Sequence, residues 1–392
     1  MVISIRLKNF FSMRDDAVLD FTADATSKKK QSYLPENLIE FNGDKFVNII
    51  GLFGSNAAGK SNIIKAIAFC RHLILTSHLN NEGDRFDFEP FKFDPDKPSY
   101  FYINFVTEGI EYEYSFSLQD DKILSEELYY YPRKRRARVF SREDTFNYSH
   151  RKGSIQRPSE VEANTSPKTL FISRASSMNR PLAQTVFRFF LNEMTVGTGT
   201  FDISSISKAD FEAHKSLLLK AFEVSDSDIE DIRMADDKSG SVALFSYHKE
   251  NPHIAFDFER EESEGTKRLL AILLLFIKLS LRNTTVFLDE FDLKLHLRLA
   301  EFILDVVRAS KSSQLVFTSH NSNLINRAKL RAEQIVFVNK SRSGNSEFVP
   351  LSDYEGVSDK TDIQKAYLNG MFDAVPYIGD VSSVLTKLLD RE

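Results

Sequence analysis

Residues Gly54-Ser55-Asn56-Ala57-Ala58-Gly59-Lys60-Ser61 fit the pattern G-x-x-x-x-G-K-[ST] at every fixed position. They follow a short β-branched apolar run, residues 46–51, and precede an apolar pattern of helical period from Ser61 to about His78. Strand, glycine-rich turn and helix in that order constrain this chain more than any other feature. The glycines let backbone N–H groups close round phosphate oxygens, and the helix N-terminus adds a favourable dipole. Lys60 is placed to reach the β- and γ-phosphates of a nucleotide, and the Ser61 hydroxyl to bind Mg²⁺.

A second signal lies more than two hundred residues on. Thr285-Val286-Phe287-Leu288-Asp289-Glu290 is an apolar strand that ends in two carboxylates. Taken alone it is a buried strand followed by a solvated acidic turn. With a phosphate loop in the same chain, Asp289 is expected to hold Mg²⁺, directly or through water, and Glu290 to orient and polarise the attacking water. About 20 residues ahead of this strand stands Glu262-Ser263-Glu264-Gly265-Thr266, at the start of a long helical pattern, residues 264–281. A serine hydroxyl and a glycine backbone at a helix N-terminus make a second phosphate-binding edge. The same residues also read as a plain cap, with Ser263 as the capping side chain.

Composition narrows the class. The 392 residues carry 56 acidic against 51 basic side chains, a net charge of −5, which argues against a surface devoted wholly to nucleic acid. One cysteine, Cys70, excludes an internal disulfide and a multi-cysteine zinc cluster. No stretch of about 18 apolar residues spans a bilayer, and the N-terminus has no apolar core of a signal peptide. The expectation is a cytoplasmic protein with no membrane partner.

The remaining pattern is mixed. Residues 2–10 alternate as a strand, with Ile3, Ile5 and Leu7 on one side, and residues 17–21 can pair with it. Residues 100–131 read as an antiparallel meander. Residues 133–170 read as a hairpin tip and a long loop, and Lys28, Lys29 and Lys30 as another loop. Residues 182–194 read as a helix with Phe187, Phe190 and Leu191 on one face. Residues 297–309 read as an amphipathic helix striped by Leu299, Phe302, Ile303 and Val306. The cationic run Arg133-Lys134-Arg135-Arg136-Ala137-Arg138 reads either as a contact for DNA, RNA or an acidic protein, or as a solvated hairpin. No aromatic interrupts it, which weakens a base-stacking role.

Together these residues resemble the ATP-binding-cassette ATPase heads of the SMC-like and OLD-like group. More narrowly, they resemble the RloA-like AAA family ATPases, to which the ATPase subunits of phage-defence pairs such as PARIS (AriA) and AbiL are related. The resemblance is carried by Ile5 to Phe10, Gly54 to Asn62, Phe91 to Phe93, Tyr112 to Tyr114, Glu126 to Leu128 and Glu262 to Thr266. It continues in Lys365 to Phe372 and Val375-Pro376. It implies ATP and Mg²⁺ as cofactors. It implies that two heads sandwich the nucleotide, Lys60, Ser61 and Asn62 from one, and Ser263, Gly265 and Thr266 from the other. It also implies that His320, in Thr318-Ser319-His320-Asn321, senses the γ-phosphate, and that Asp292 faces the partner from a D-x-x-L-H segment. The glutamine that such ATPases carry after the first helix has no convincing match near residues 88–93.

The fold class implied is α/β: a P-loop ATPase head with an antiparallel β subdomain and a helical lid insertion. Without heptads in the roughly 200 residues between the first motif and Glu262, no long coiled-coil arm is expected. The expected division is an N-terminal lobe 1–132, an inserted hairpin and lid 133–240, and a C-terminal lobe 241–392. The expected function is an ATPase that senses and scaffolds in anti-phage defence, as a homodimer or a ring of dimers. It would hold a separate TOPRIM or RloB-like nuclease in check until a phage trigger protein binds. The alternatives are a DNA-repair or DNA-end-processing ATPase, and a scaffold that binds ATP without turnover.

Overall fold

The computed structural model of the chain describes residues 1–24, 33–81, 83–197, 207–225, 227–236, 242–280, 284–358 and 360–376. The run Lys28, Lys29 and Lys30 lies outside them. The strands of the first half are β1 (Val2–Lys8), β2 (Ala17–Asp20), β3 (Leu38–Phe41), β4 (Asp44–Val47), β5 (Ile49–Phe53), β6 (Ser99–Thr107), β7 (Ile110–Gln119), β8 (Lys122–Tyr130), β9 (Ala137–Glu143) and β10 (Asn147–His150). They are followed by β11 (Met194–Gly197), β12 (Ile229–Asp236), β13 (Val242–His248), β14 (Asn251–Asp257), β15 (Thr285–Leu288), β16 (Gln314–Ser319), β17 (Ile335–Lys340) and β18 (Ser346–Pro350). The helices that matter here are α1 (Lys60–Thr76), α2 (Phe171–Ser177), α3 (Pro181–Arg188), α4 (Lys208–Val224), α5 (Glu264–Ser280) and α6 (Leu297–Ala309).

Strands β11, β15, β16, β5 and β17 lie side by side in that order, all parallel, and β18 closes one edge antiparallel. Every residue of β5, β15 and β16 is buried, as unbroken apolar runs covered on both faces should be. The register pairs Leu288 with Phe317 and Ser319 with Phe53. β16 and β5 therefore end level, and β15 ends two residues short of them. The phosphate loop after β5, the acidic pair after β15 and His320 after β16 leave the sheet along one edge, where open α/β sheets take their ligands.

A second sheet of seven antiparallel strands runs β10-β9-β8-β7-β6-β1-β2. Its inner face buries Ile5, Leu7, Phe101, Ile103, Phe105, Phe116 and Leu128. Helices α2 and α3, with the turn after α3, fill this face. Phe189 stacks on Phe105 at 4.1 Å between ring centres, and Phe171 meets Phe140 at 4.6 Å. Two buried glutamines anchor the parallel sheet to its surroundings. Gln314 Oε1 accepts from Val2 N at 2.7 Å and Thr285 Oγ1 at 2.8 Å, while its Nε2 donates to Val2 O at 2.9 Å. Gln334 Nε2 donates to Ile49 O at 3.0 Å. A third, small sheet, β12-β13-β14, shares a core with α4 and α5 through Phe211, Leu218, Phe222, Ile232, Leu269 and Leu273.

Several expectations change. Residues 46–51 are two strands, β4 paired with β3 and β5 in the parallel sheet, divided at Asn48. That residue donates from its backbone to Asn37 O and from its side chain to Glu36 O, each at 3.0 Å, so both donors turn off the sheet while its carbonyl still accepts from Leu315 N of β16 at 2.8 Å. A bulge between Val2 and Ser4 takes Ile3 off the face of Ile5 and Leu7 and leaves it half-buried. Residues 133–170 are not mainly loop. β9 and β10 extend the antiparallel sheet, so position 132 is no break in it. The 182–194 helix ends at Arg188 and passes into a wide π turn, Phe189–Glu193. The extra residue per turn buries Phe190 and leaves Leu191 half-exposed. Helix α2 and the π turn are packed core rather than a lid over the head. The buried stripe of α6 is Ala300, Ile303, Leu304 and Val307, turned about one residue from the expected one.

Among the described residues the longest helices, α1, α4 and α5, have 17 residues, so no coiled-coil arm leaves this part of the molecule. Among them, too, no helix is long and apolar enough to cross a membrane.

Candidate nucleotide site

The loop from Gly54 to Gly59 is shaped by two close approaches. A Cβ on Gly54 would lie 2.4 Å from the Val338 carbonyl oxygen, and one on Gly59 2.1 Å from Ser346 Oγ. Gly59 also has φ of +111°, which favours glycine. Ser346 Oγ donates to Ala58 O at 2.6 Å and lies in hydrogen-bond contact with Ser12 Oγ at 2.7 Å, and Asn62 Nδ2 donates to Ser12 Oγ at 2.7 Å. The loop is thus braced by β18 and by the turn after β1. Neither Ser12 nor Ser346 belongs to a motif, and only their closeness in the fold reveals them.

Lys60 opens α1, and its side chain is buried. Its Nζ donates to Gly54 O at 2.7 Å and Ser55 O at 2.9 Å, and lies 3.5 Å from His320 Nδ1. Burial pushes the ammonium down to about 8, against the pull of the Asp289 and Glu290 charges. Burial and the Lys60 charge push the His320 imidazole below its ordinary value, while Asp292, Glu290 and Asp289 act the other way.

The acidic pair is tied to the loop by hydroxyls. Ser61 Oγ donates to Asp289 Oδ1 at 3.0 Å, and Thr318 Oγ1 to the same oxygen at 2.6 Å. Glu290 N donates to Thr318 Oγ1 at 2.7 Å. Glu290 itself sits at φ of +48°, a left-handed conformation that costs a non-glycine residue about 1–3 kcal/mol. Arg268, one turn into α5, donates from Nη2 to Glu290 O at 2.8 Å and to Asp289 O at 3.3 Å. The pivot roles of Thr318 and Arg268 had no sequence signal of their own.

The 262–266 turn leads into α5. Ser263 Oγ accepts from Thr266 N at 3.1 Å and lies 2.7 Å from Thr266 Oγ1, the geometry of a helix cap. A Cβ on Gly265 would come within 3.0 Å of Lys294 O, and Lys294 Nζ bonds Glu264 Oε2 at 3.0 Å. This turn therefore lies against the segment that carries Asp292. The structure gathers Lys60, Ser61, Asp289, Glu290 and His320 into one group and sets Ser263, Gly265 and Thr266 in a second beside Lys294, while the Asp292 charge is felt by both His320 and Arg268. Arg268 links the two. The cationic run is partly tied down: Arg136 Nη2 bonds Glu113 Oε2 at 2.6 Å and its guanidinium stacks over Tyr129 at 3.5 Å. Arg138 reaches Ser149 Oγ at 3.2 Å and Lys134 reaches Asn42 O at 3.3 Å.

The residues fit the groups their motif calls for. The close approaches of Val338 O and Ser346 Oγ leave room only for glycine at both ends of the loop, and Lys60 Nζ lies on its Gly54 and Ser55 carbonyls. Ser61 Oγ and Asp289 Oδ1 are adjacent hard oxygens, the donor type that Mg²⁺ takes alongside water and phosphate.

Fold and site define a P-loop NTPase. Residues 49–326 match the model of a family described as an AAA domain, putative AbiEii toxin, of type IV toxin–antitoxin systems, and the chain belongs to this AAA-type ATPase family. No curated protein matches it. Similar solved structures include an SMC head bound to the C-terminal winged-helix domain of ScpA, at 18% identity, 89% of this chain, 97% of that one and TM-score 0.46. Another is the SMC head of Thermotoga maritima, at 16%, 89%, 98% and 0.43. A third is a Pyrococcus furiosus SMC head with an extended coiled coil bound to the C-terminal domain of ScpA, at 15%, 89%, 95% and 0.44.

Proposed function

We propose that the protein hydrolyses ATP at a site completed by a second copy, and serves as the sensor and scaffold subunit of an anti-phage defence system. The observation that carries the ATPase reading is the hydroxyl-linked chain Ser61–Asp289–Thr318–Glu290 beside Lys60. Lys60 leaves its two loop carbonyls for the β- and γ-phosphates. Ser61 and Asp289 hold Mg²⁺, which when bound neutralises phosphate charge. Glu290, its backbone fixed by Thr318 and Arg268, orients the water, and His320 reads the γ-phosphate through its closeness to Lys60. Gly54 to Asn62 wrap the phosphates. Ser263, Gly265 and Thr266 close over the nucleotide of the partner, and Asp292 lies along that interface.

The defence role is supported by the toxin–antitoxin description of the family and by the resemblance to RloA-like ATPases. On this reading the ATP-bound dimer, or a ring of dimers, restrains a separate TOPRIM or RloB-like nuclease until a phage protein binds. A DNA-processing role draws on residues 133–138. It is the weaker reading, because Arg136, Lys134 and Arg138 already have partners within the chain.

The test is the solution mass of the Glu290→Gln protein with and without Mg-ATP. A rise with ATP to an even multiple of the chain mass supports the composite site. A protein that stays monomeric with ATP bound overturns it.

A further inference from the structure

Resting on the composite-site reading, we propose that Glu262 is a positioning residue that sets how Ser263 is presented to the nucleotide of a second copy, and that β13 holds it in place. Glu262 is the residue before Ser263. Of the four carboxylates at positions 259, 261, 262 and 264, it alone turns inward, and its side chain is only 9% exposed. A carboxylate so placed must be met by donors. Its Oε1 accepts from Ser246 Oγ at 2.5 Å and lies 2.9 Å from His248 Nε2.

Ser246 and His248, two apart on β13 where its pairing with β14 shifts register, both reach this one oxygen. His248 is itself pinned. Its Nδ1 lies 3.0 Å from Asp228 Oδ1, and Phe256 of β14 packs edge-on against the ring at 4.6 Å. On the far side of Ser263, Glu264 is held by Lys267 at 3.1 Å and by Lys294 at 3.0 Å. Ser263 stays exposed between these two anchors. A cap serine needs neither anchor, since its bonds to Thr266 lie within the helix turn. The clamp instead fixes the strand of backbone that delivers the turn, and it couples that turn to a sheet built from residues 229–257.

The experiment uses the full chain carrying Glu290→Gln, with ATP-driven self-association read by sedimentation and ATP affinity read at concentrations where the protein is monomeric. Adding Glu262→Ala is expected to weaken association about tenfold or more, the effect of losing hydrogen bonds to a charged group. ATP affinity should stay within about twofold, a split that general unfolding would not give. Glu262→Gln keeps an acceptor for both donors and should restore association. If Glu262→Ala does not fold, His248→Ala, which leaves Ser246 in place, is read on the same scale. Association that weakens with Ser263→Ala but not with the Glu262 or His248 variants overturns the clamp and leaves the composite site standing. Association untouched by Ser263→Ala overturns the composite site, and the clamp with it.

Discussion

Two groups in this molecule set carboxylates beside a cation. Under the antiparallel sheet, Glu126 and Arg142 are both fully buried, 3.8 Å apart at their nearest charged atoms. Glu126 accepts from Phe171 N at 2.6 Å, Ile172 N at 2.9 Å and Tyr114 OH at 2.9 Å. Arg142 donates to the carbonyls of Thr145 at 2.6 Å, Thr169 at 2.7 Å and Ser166 at 3.2 Å. Burial pushes the Glu126 carboxyl up, and these donors with Arg142 pull it back. At the edge of the parallel sheet, Lys60 leans on two loop carbonyls that a phosphate oxygen can replace. Glu290 is exposed and held by its backbone alone, in a left-handed conformation. Residue type does not separate the two groups. One has every polar direction answered from within the fold, and the other keeps its polar atoms for something else.

The comparison is broken most directly at its two acids. Glu290→Gln should cut ATP turnover about 10²–10⁴-fold, the usual worth of a general base, with an unchanged melting temperature. Phosphate release and a thermal melt read both. Glu126→Ala should do the reverse. Removing one partner of a buried pair costs about 3–5 kcal/mol of stability, read by urea unfolding, while turnover per folded molecule holds. A Glu126→Ala protein as stable as its parent would mean that the two groups do not differ as argued.

Gln314 sharpens the comparison because it joins the two regions. Gln314→Leu keeps the volume but leaves Val2 N–H and Val2 C=O buried without partners, at about 1–3 kcal/mol. Unfolding should also become less cooperative, since the two sheets lose a shared bond. Equal urea midpoints for variant and parent would show that apolar packing alone unites them.

What could be read in the chain follows the same division. The phosphate loop, the acidic pair and the α/β architecture were legible because their residues are contiguous and their spacing is dictated by local chemistry. The meander at 100–131 was legible from its period of two. Ser12, Ser346, Thr318 and Arg268 were not, because each matters only through a neighbour far along the chain. The Glu126–Arg142 pair had no signal in the chain, since nothing local tells a strand that its polar residue faces inward. The strands at 137–150 were hidden by the same polarity, and the π turn after Arg188 by a change of period that no local signal announces.

The smallest predicted effect turns on Lys60. Its folded value, about 8, lies below the ordinary lysine value of 10.5 because of burial. Between those values the unfolded chain binds more protons than the folded one, so this group makes stability rise with pH across the window. Glu126, pushed the opposite way from its ordinary 4.5, makes stability fall as pH rises from that value. Nucleotide binding reverses the Lys60 effect, because phosphate charge beside the ammonium favours its protonated form. ATP should therefore bind with proton uptake at pH 9 and almost none at pH 7, and about tenfold more weakly at the higher pH. Calorimetry in two buffers of different ionisation heat measures the uptake. Lys60→Arg, charged throughout, should abolish the pH dependence even where it weakens binding. Uptake that persists in Lys60→Arg would place the titrating group elsewhere and remove the link between the lysine's burial and its readiness for phosphate.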